Sequence, residues 1–356
     1  MALTAALRVF YTAMAAAFLP FLHPDPALIH SNALTENLPA PHGLHYALLG
    51  IWERFDTLWY LRIAAHGYDL PAGVIFYPLY PAAIRGVSWS MPAMAAALLV
   101  STVAAFFFFW GLLRLASELS EVGRLRMLLL VCVWPTSFVL FAGYAESLTL
   151  ALVVWAIAFG REARWETATA CGLLAGSARP SGVLVIIPLA VMALRSRQAR
   201  SLLVALTPLG LLGYWGWLRW SGRISVVEAY RLYQGMTMVP PWRGFGEALR
   251  LIVTEHDALL AIKLGLVIMV AVISLRREVR IEDKAFALAV ILQMLMYTGR
   301  PLLGAPRYLL MVYPAFLVFG TYAERWNGKR LGFCLSALGF LNLAWMWAFL
   351  SWSLVL

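Results

Sequence analysis

The sequence predicts an all-α polytopic membrane protein, and its composition and the arrangement of its apolar residues are the grounds for this class. Of the 356 residues 62% are apolar and only 13% are charged, which is about half the charged share of soluble domains. A water-soluble core could not bury this much apolar surface. A helix that crosses a bilayer needs about 20 mostly apolar residues, so the chain has room for about eleven spans. The apolar residues run continuously rather than alternating, which argues against a β-barrel.

Apolar runs separated by charged or Gly/Pro-rich joints mark these spans. They cover about 4–22, 92–114, 126–143, 146–160, 166–178, 181–194, 201–219, 258–275, 284–299, 307–323 and 331–350. The first run resembles a signal peptide, with Arg8 ahead of an apolar stretch, but we interpret it as an uncleaved anchor because it forms one more span. No internal repeat or linker is visible, so we expect a single membrane domain over 1–356.

The arginine content of the joints sets the predicted orientation. Short arginine-rich joints lie at 114–126, 161–166, 195–200, 276–284 and 324–330. The positive-inside rule assigns them to the cytoplasm, which puts the N-terminus inside and the C-terminus outside. The segments 23–90 and 220–257 are then large outer loops, and we expect interfacial helices in the first.

The net charge of +10 comes mainly from arginine, since only three of the 28 basic residues are lysine. No basic stripe is interleaved with polar residues, so nucleic acid is not an expected partner. The arginines fit loops that face anionic lipid or sites that hold phosphate, and equally a GC-rich codon bias. His42 and His45 have ligand-like spacing but no matching carboxylate cluster, and the cysteines lack it, so no metal site is predicted.

The first outer loop contains an acidic, aromatic segment, WERFDTLWYLRIAAHGY at 52–68. As a helix it would place Trp52 and Trp59 on one face and Asp56 on a neighbouring face. Such a helix would lie at the membrane interface and hold Asp56 near the lipid headgroups. The alternative is an anchoring helix in which Asp56 pairs with Arg54 or caps a turn.

Two further motifs lie in the outer segments. FYPLYP at 76–81 makes a stiff aromatic corner that could stack on a sugar ring or simply form part of an interfacial aromatic belt. Glu146, in the short joint GYAES at 143–147, is an acid at a membrane boundary and therefore a functional candidate. Its alternative role is that of a carboxylate favoured at a helix N-terminus.

Several arginines occur at outer positions, against the positive-inside bias. They are Arg179 in ARPSG, Arg243 in PPWR, Arg300 in GRP and Arg307 in APRY. A guanidinium group can bind a lipid phosphate through two parallel hydrogen bonds, whereas snorkelling to ordinary headgroups is the alternative. Motifs for nucleotide binding, metalloproteolysis or lipase-type catalysis do not occur in the sequence.

Taken in order, these motifs resemble the PIG-V family of glycosylphosphatidylinositol mannosyltransferase II, in its bacterial branch, within the GT-C class of membrane glycosyltransferases. The resemblance runs from Trp52 to Pro314 through FYPLYP, WPTSFVLFAGYAESL, ARPSG, PPW and APRYLLMVYP. It implies a GT-C fold in a bacterial inner membrane. It also implies a sugar donor on a polyprenyl phosphate, usually mannose, and extracytoplasmic, inverting transfer to a lipid or glycan acceptor. Neither a metal nor another cofactor is implied.

The resemblance also implies roles for individual residues. Asp56 matches the catalytic base. Arg179 and Arg307 match the Arg-Pro and Arg-Tyr motifs and are expected to bind the donor phosphate, together with the outer arginines Arg243 and Arg300. The resemblance carries over Glu146, Tyr77 and Tyr80 as substrate-binding residues, and Tyr60, His66 and Trp242 of the outer segments are expected to join them.

The sequence departs from the family at two positions, and two other functions compete. Phe55 stands where the family often has Trp, and Trp134-Pro135 stands where Asn-Pro is familiar. A bacterium does not make the eukaryotic anchor, so another lipid or glycan is the expected acceptor. A lipid or glycan transporter or flippase would need charges near the bilayer midplane, whereas the charges here lie at span ends. A non-catalytic scaffold of the same fold would not need Asp56 or the outer arginines.

Overall fold

Helices form nearly all the regular structure in the computed structural model, which describes residues 1–24, 26–30, 34 and 42–353. The first half of the chain contains α1 (Ala2–Phe18), α2 (Pro26–His30), α3 (Gly43–Leu48), α4 (Asp56–His66), α5 (Leu79–Val87), α6 (Ala93–Leu115), α7 (Glu121–Cys132), α8 (Glu146–Arg161) and α9 (Trp165–Ala178). The second half contains α10 (Ile186–Arg195), α11 (Leu209–Trp220), α12 (Val226–Gln234), α13 (Pro241–Thr254), α14 (Ala258–Ser274), α15 (Ile281–Met294), α16 (Ala305–Tyr308), α17 (Tyr313–Ala323) and α18 (Gly328–Leu350). Short 3-10 helices lie at Leu19–Phe21, Gly50–Trp52, Pro71–Ile75, Ser137–Phe141, Pro180–Val185, Ala199–Leu206 and Leu309–Met311.

The predicted class, an all-α polytopic membrane protein, is confirmed. Within the described chain four helical segments are long and apolar enough to cross a bilayer, and two shorter apolar helices accompany them. The four are Ala2–Phe21, Ala93–Leu115, Ala199–Trp220 and Gly328–Leu350. Several of the other predicted spans are built from shorter or interrupted helices, which a membrane protein tolerates where neighbouring helices bury the backbone.

The predicted span 126–143 shows how such an interruption arises. Helix α7 ends at Cys132, and the chain continues as the buried 3-10 helix Ser137–Phe141. The proline after Trp134 lacks an amide N–H and disfavours helical backbone in the residue before it. The carbonyl of Val131, which Pro135 leaves without an α-helical partner, accepts hydrogen bonds from the backbone N–H of Trp134 and from Oγ of Ser137. The side-chain amide of Asn342 on α18 donates to the carbonyl of Trp134. The backbone carbonyl groups at the break therefore find hydrogen-bond partners within the protein.

Helix α4 begins later than the segment 52–68 suggests. It starts at Asp56, after the 3-10 helix that ends at Trp52. Phe55, directly before it, has a φ of 46°, which is sterically unfavourable for a residue with a side chain, so the helix cannot run through this position. Helix α4 packs against α5 and α6, and its first residue is the acid that the sequence singles out.

A cluster of aromatic side chains joins the segment 23–90, the predicted first outer loop, to the bundle. Tyr60, Tyr77 and Tyr80 of this loop are buried together with Tyr214 of α11. Each buried aromatic ring removes about 150–250 Å² from solvent. The cluster therefore fixes the position of α4 on the ends of the bundle helices.

The segment 220–257, the predicted second outer loop, is joined to a later part of the chain by a two-stranded ribbon. Strand β1 (Thr237–Met238) pairs antiparallel with β2 (Tyr297–Thr298), with Thr237 opposite Thr298. The ribbon holds α12 beside the start of the joint 299–307. The division into one membrane domain with outer loops at 23–90 and 220–257 stays a prediction. The parts of the first loop at 25, 31–33 and 35–41 lie outside the described residues.

Candidate active site

Charged side chains from four separate segments meet at one end of the bundle. Asp56 begins α4, Glu146 begins α8, Arg179 follows α9 and Arg307 lies in α16. The Nη1 atom of Arg307 lies 2.8 Å from Oδ2 of Asp56 and 3.1 Å from Oε1 of Glu146. Arg179 donates from its own Nη1 to the same Glu146 oxygen. The four groups thus form one continuous ionic network, which we call the charge quartet.

Local sequence explains why these side chains point to a common place. Asp56 and Glu146 are each the first residue of a helix, where unpaired backbone N–H groups favour a carboxylate. Arg179 is extended, with φ −155° and ψ 151°, because the proline that follows disfavours helical backbone before it. Its side chain therefore leaves the axis of α9 and reaches the start of α8.

Gly143 sets the separation between α4 and the start of α8. A Cβ atom at this position would lie 2.6 Å from Cγ2 of Thr57 and 3.3 Å from Cε of Met94. Thr57 follows Asp56 directly in α4. The approach of the two carboxylate-bearing helix ends therefore depends on the missing side chain of this glycine.

The side chains of the charge quartet differ in how far they are exposed to solvent. The Asp56 side chain is 22% exposed, whereas those of Glu146 and Arg307 are 5% and 7% exposed. Buried charges are stable only when they are paired and hydrogen-bonded, and here two carboxylates balance two guanidinium groups. Asp56 is the member that a molecule from outside can reach most readily.

The alternative pairing of Asp56 with Arg54 is not what the structure shows. Arg54 is buried, and its guanidinium group donates to the hydroxyl of Tyr46 at 2.6 Å and to the carbonyl of Leu350 at 3.2 Å. It therefore anchors the loop to the end of α18. Asp56 pairs with Arg307 instead.

A cleft of about 100 Å³ lies beside the charge quartet and is lined by Asp56, Arg179 and Arg307 among others. Tyr308 forms part of its wall. The Tyr308 hydroxyl accepts a hydrogen bond from Nη2 of Arg179 at 2.8 Å, and its ring centroid lies 4.9 Å from that guanidinium carbon and 5.6 Å from the one of Arg307. Such cation–π contacts hold guanidinium groups in place. The cleft thus presents two oriented cations and one accessible carboxylate.

Tyr60, another predicted site residue, also lines the cleft. Burial raises the pKa of its hydroxyl well above the ordinary value, and the nearby Arg179 opposes this shift only in part. The hydroxyl therefore stays protonated at neutral pH and is available as a hydrogen-bond donor.

Tyr77 and Tyr80 take structural positions. The Tyr77 hydroxyl accepts a hydrogen bond from Nε1 of Trp215 at 2.8 Å, and the Tyr80 hydroxyl lies 2.7 Å from Oγ of Ser101. Neither tyrosine is among the residues that line the cleft. Both bind the outer loop to the bundle, and their expected role in substrate binding stays a prediction.

The remaining predicted residues are exposed and lie outside the cleft lining. They are His66, Trp242, Arg243 and Arg300. Trp242 is 72% exposed at the start of α13. The structure does not bring these four to the charge quartet, and their expected roles stay predictions.

The sequence did not predict that residues of the predicted second outer loop form part of the wall of the cleft. Tyr230 and Gln234 of α12 line the cleft together with Tyr297 of β2. The helix itself carries a signal, because Ser225 accepts a hydrogen bond from the backbone N–H of Glu228, as in a Ser-x-x-Glu capping box. Its position over the cleft depends on the β1–β2 pairing, which helical periodicity cannot reveal.

The overall architecture is the GT-C membrane fold, as solved structures show, so the predicted fold is confirmed. ArnT from Cupriavidus metallidurans bound to undecaprenyl phosphate is similar with a TM-score of 0.55 and 11% identity, over 98% of this chain and 64% of that chain. The same protein in the apo state is similar with a TM-score of 0.51 and 12% identity, over 81% of this chain and 58% of that chain. The chain thus spans less than two thirds of the length of these structures. Comparison with family models and with curated proteins finds no match.

Proposed function

We propose that the protein is a membrane glycosyltransferase that moves a sugar, mannose, from a polyprenyl-phosphate donor to a lipid or glycan acceptor. The observation that carries the proposal is an accessible carboxylate, Asp56, held beside two buried arginines in a cleft at one end of a membrane bundle. The likeness to a fold whose solved example holds undecaprenyl phosphate supports a donor of this kind. The ordered motifs between Trp52 and Pro314 favour the bacterial branch of the PIG-V family.

In the proposed reaction an acceptor hydroxyl attacks the anomeric carbon on the face opposite the phosphate. The new glycosidic C–O bond forms while the bond from carbon to the phosphate oxygen breaks, so the configuration is inverted. Asp56 accepts the hydroxyl proton, and polyprenyl phosphate leaves with the bonding electrons. The carboxylate needs to be positioned more than it needs an unusual basicity, because the hydroxyl acidifies as its bond to carbon forms.

The leaving phosphate needs compensation for its growing negative charge. Arg179 and Arg307 supply two guanidinium groups in a site that is largely shielded from water, where such contacts are strong. We propose that they take the place of a divalent metal and that no other cofactor takes part. Among the described residues, no group of three or more His, Cys, Asp or Glu side chains could hold a metal ion.

The proposal places the cleft on the extracytoplasmic side of a bacterial inner membrane and the N-terminus in the cytoplasm. Support comes from the distribution of arginine along the helices that lead to the cleft. Glu146 starts α8 at the cleft, and the arginine-rich joint 161–166 follows its other end. Met294 at the end of α15 lines the cleft, and the arginine-rich joint 276–284 includes its other end. Both joints fit the cytoplasmic side.

The proposal is tested with Asp56→Asn and a matched control, Asp69→Asn. Asp69 lies in the same outer loop and bonds to Arg62 at 2.7 Å, which lowers the pKa of its carboxyl, so each substitution removes one negative charge. Purified protein in lipid vesicles is incubated with radiolabelled polyprenyl-phosphate mannose and a panel of lipid and glycan acceptors. We expect Asp56→Asn to bind the donor normally while turnover falls by about 10²–10⁴-fold, and the control to keep wild-type turnover.

The variant Glu146→Gln tests whether Glu146 holds the two arginines in place, which is a different role from that of the base. Loss of this buried carboxylate leaves two cations with one partner, so the free energy of unfolding should fall by about 3–5 kcal/mol, while turnover should fall less than in Asp56→Asn. Near-wild-type turnover of Asp56→Asn, or abolished turnover in a stable Glu146→Gln, would show that Asp56 is not the base. Movement of labelled polyprenyl-phosphate mannose across the vesicle bilayer without sugar transfer would favour the flippase.

A further inference from the structure

A second pocket lies at the end of the bundle opposite the charge quartet. It encloses about 330 Å³ between the end of α14, the end of α17 and the start of α18. Its wall contains the arginines Arg276, Arg325 and Arg330 and the aromatic residues Phe319, Tyr322 and Trp326. Helix α15 ends at Met294 in the cleft wall and begins five residues after Arg276. Helix α14, whose 17 residues rise about 26 Å, ends at this pocket. This distance is close to the thickness of the hydrocarbon layer, so the pocket lies at the opposite headgroup level.

Aromatic side chains hold two of the arginines in place. Arg276 donates to the hydroxyl of Tyr322, and its guanidinium carbon lies 4.8 Å from the centre of that ring. The guanidinium carbon of Arg330 lies 4.9 Å from the ring centre of Trp326. These contacts orient the guanidinium groups without neutralising their charge.

The three guanidinium groups form no ion pair in the described part of the chain. No carboxylate there lies within 4.0 Å of Arg276, Arg325 or Arg330. Glu324 is adjacent in sequence, but its carboxylate accepts a hydrogen bond from Oγ of Ser120 at 2.9 Å instead. The wall of the pocket therefore carries three guanidinium groups that have no ion-pair partner among the described residues.

Arginines that connect helices at this end of the bundle have carboxylate partners, whereas exposed ones such as Arg197 and Arg277 form no ion pair among the described residues. Arg161 lies 2.6 Å from Asp283, and Arg280 forms an ion pair with Glu118. The chain thus supplies carboxylates where it fixes helices to each other. Their absence from the described wall of this pocket points to an anion that comes from outside the chain.

We propose that this pocket binds the phosphodiester headgroup of an anionic phospholipid, in the leaflet opposite the candidate active site. Phe319 lies one helical turn before Tyr322 on α17, toward the membrane interior, and offers an apolar surface for the first carbons of an acyl chain. Basic pockets between membrane helices at this level attract anionic headgroups, and guanidinium groups bind phosphate oxygens in pairs. The inference does not depend on the proposed sugar transfer, because the two sites share no lining residue.

The test compares two triple variants of the full-length protein that lose the same charge. The pocket variant carries Arg276→Gln, Arg325→Gln and Arg330→Gln. The control variant carries Arg197→Gln, Arg277→Gln and Lys329→Gln, which are exposed residues of the arginine-rich joints outside the pocket lining. Native mass spectrometry in detergent counts bound lipid during titration with phosphatidylglycerol, phosphatidylcholine or soluble glycerol phosphate.

We expect the wild-type protein to bind one phosphatidylglycerol at least tenfold more tightly than phosphatidylcholine. The pocket variant should lose roughly a hundredfold in this affinity and the control variant less than about threefold. The single variant Arg325→Gln should lose about fivefold, which gives a readout even if the triple variant folds poorly. Unchanged affinity in Arg325→Gln and the pocket variant would overturn the proposal, as would an equal loss in the control. Binding of glycerol phosphate as tight as that of the lipid would show a site for free anions instead.

Discussion

At the scale of single residues, the two arginines of the charge quartet use their nitrogens differently. Arg307 contacts Asp56 and Glu146 through one nitrogen, Nη1, at 2.8 and 3.1 Å. Arg179 uses Nη1 for Glu146 and Nη2 for the hydroxyl of Tyr308. A compact ammonium group can replace a single nitrogen between two carboxylates, but it cannot reproduce a planar fork with two separate partners.

Lysine substitutions should therefore affect the two positions unequally. We expect Arg179→Lys to weaken donor binding by about ten- to a hundredfold, since a charge-assisted hydrogen bond contributes about 1.5–3 kcal/mol. Arg307→Lys should weaken it only a few-fold. The measurement is the Kd of each variant for polyprenyl phosphate, with Arg179→Ala and Arg307→Ala as reference points. The assignment of both arginines to the donor is wrong if the two alanine variants bind and use the donor as well as the wild type.

At the scale of helices, sequence periodicity predicted long elements well and interruptions poorly. The predicted spans 92–114, 258–275 and 331–350 match α6, α14 and α18 within a few residues. The predicted span 126–143 is not one continuous helix, and its break near Trp134 is stabilised by a hydrogen bond from Asn342, more than 200 residues away. Hydropathy is computed from neighbouring residues, so it cannot predict a hydrogen bond to a residue this far along the chain.

The candidate site follows the same division between local and long-range information. Residue type and position in the outer joints were enough to single out Asp56, Glu146, Arg179 and Arg307. Their pairing was not predictable, because the ion pair between Arg307 and Asp56 joins positions 251 residues apart. The sequence also suggests Arg54 as a partner for Asp56, because a sequence gives the separation of residues along the chain but not their distance in space.

The close approach of α4 to α8 leads to a prediction about Gly143. In Gly143→Ala the new Cβ would meet Cγ2 of Thr57 at 2.6 Å, so α4 must shift by a few tenths of an ångström and take Asp56 with it. Misplacement of a reacting group by about 1 Å lowers rates by about 10²-fold, and we expect turnover to fall by roughly tenfold. Turnover and thermal stability are measured together.

The control for this substitution is Gly86→Ala in α5. It adds the same methyl group to a helix of the same outer loop, where no heavy atom lies within 4 Å of the new position. We expect unchanged turnover and a gain in stability of about 0.5–1 kcal/mol. Equal turnover in both variants would mean that the contact with Thr57 does not position Asp56.

At the scale of the whole molecule, the cleft and the arginine pocket mark the two ends of the bundle. If the positive-inside rule assigns the orientation correctly, the cleft end faces away from the cytoplasm. Single cysteines in a background without the three native ones can test this. We choose Ser90 and Ser221 for the cleft end and Arg197 and Lys329 for the other, because all four are exposed.

A membrane-impermeant maleimide applied to intact cells should label Ser90→Cys and Ser221→Cys. Arg197→Cys and Lys329→Cys should react only after the membrane is permeabilised. The opposite pattern would invert the topology and place the proposed reaction in the cytoplasm.

If the proposed function holds, the charge balance of the quartet affects how the site distinguishes a lipid-linked phosphate from other anions. The charges of two carboxylates and two guanidinium groups cancel, so the quartet exerts little net attraction on sulfate or sugar phosphates dissolved in the surrounding water. A lipid-borne phosphate is confined to a thin layer at the height of the cleft, and its effective concentration there is far above that of a dissolved ion. Under the proposed function, discrimination comes from tethering. The prenyl chain of the proposed donor keeps its phosphate near the two arginines, whereas a freely diffusing anion would have to displace their carboxylate partners.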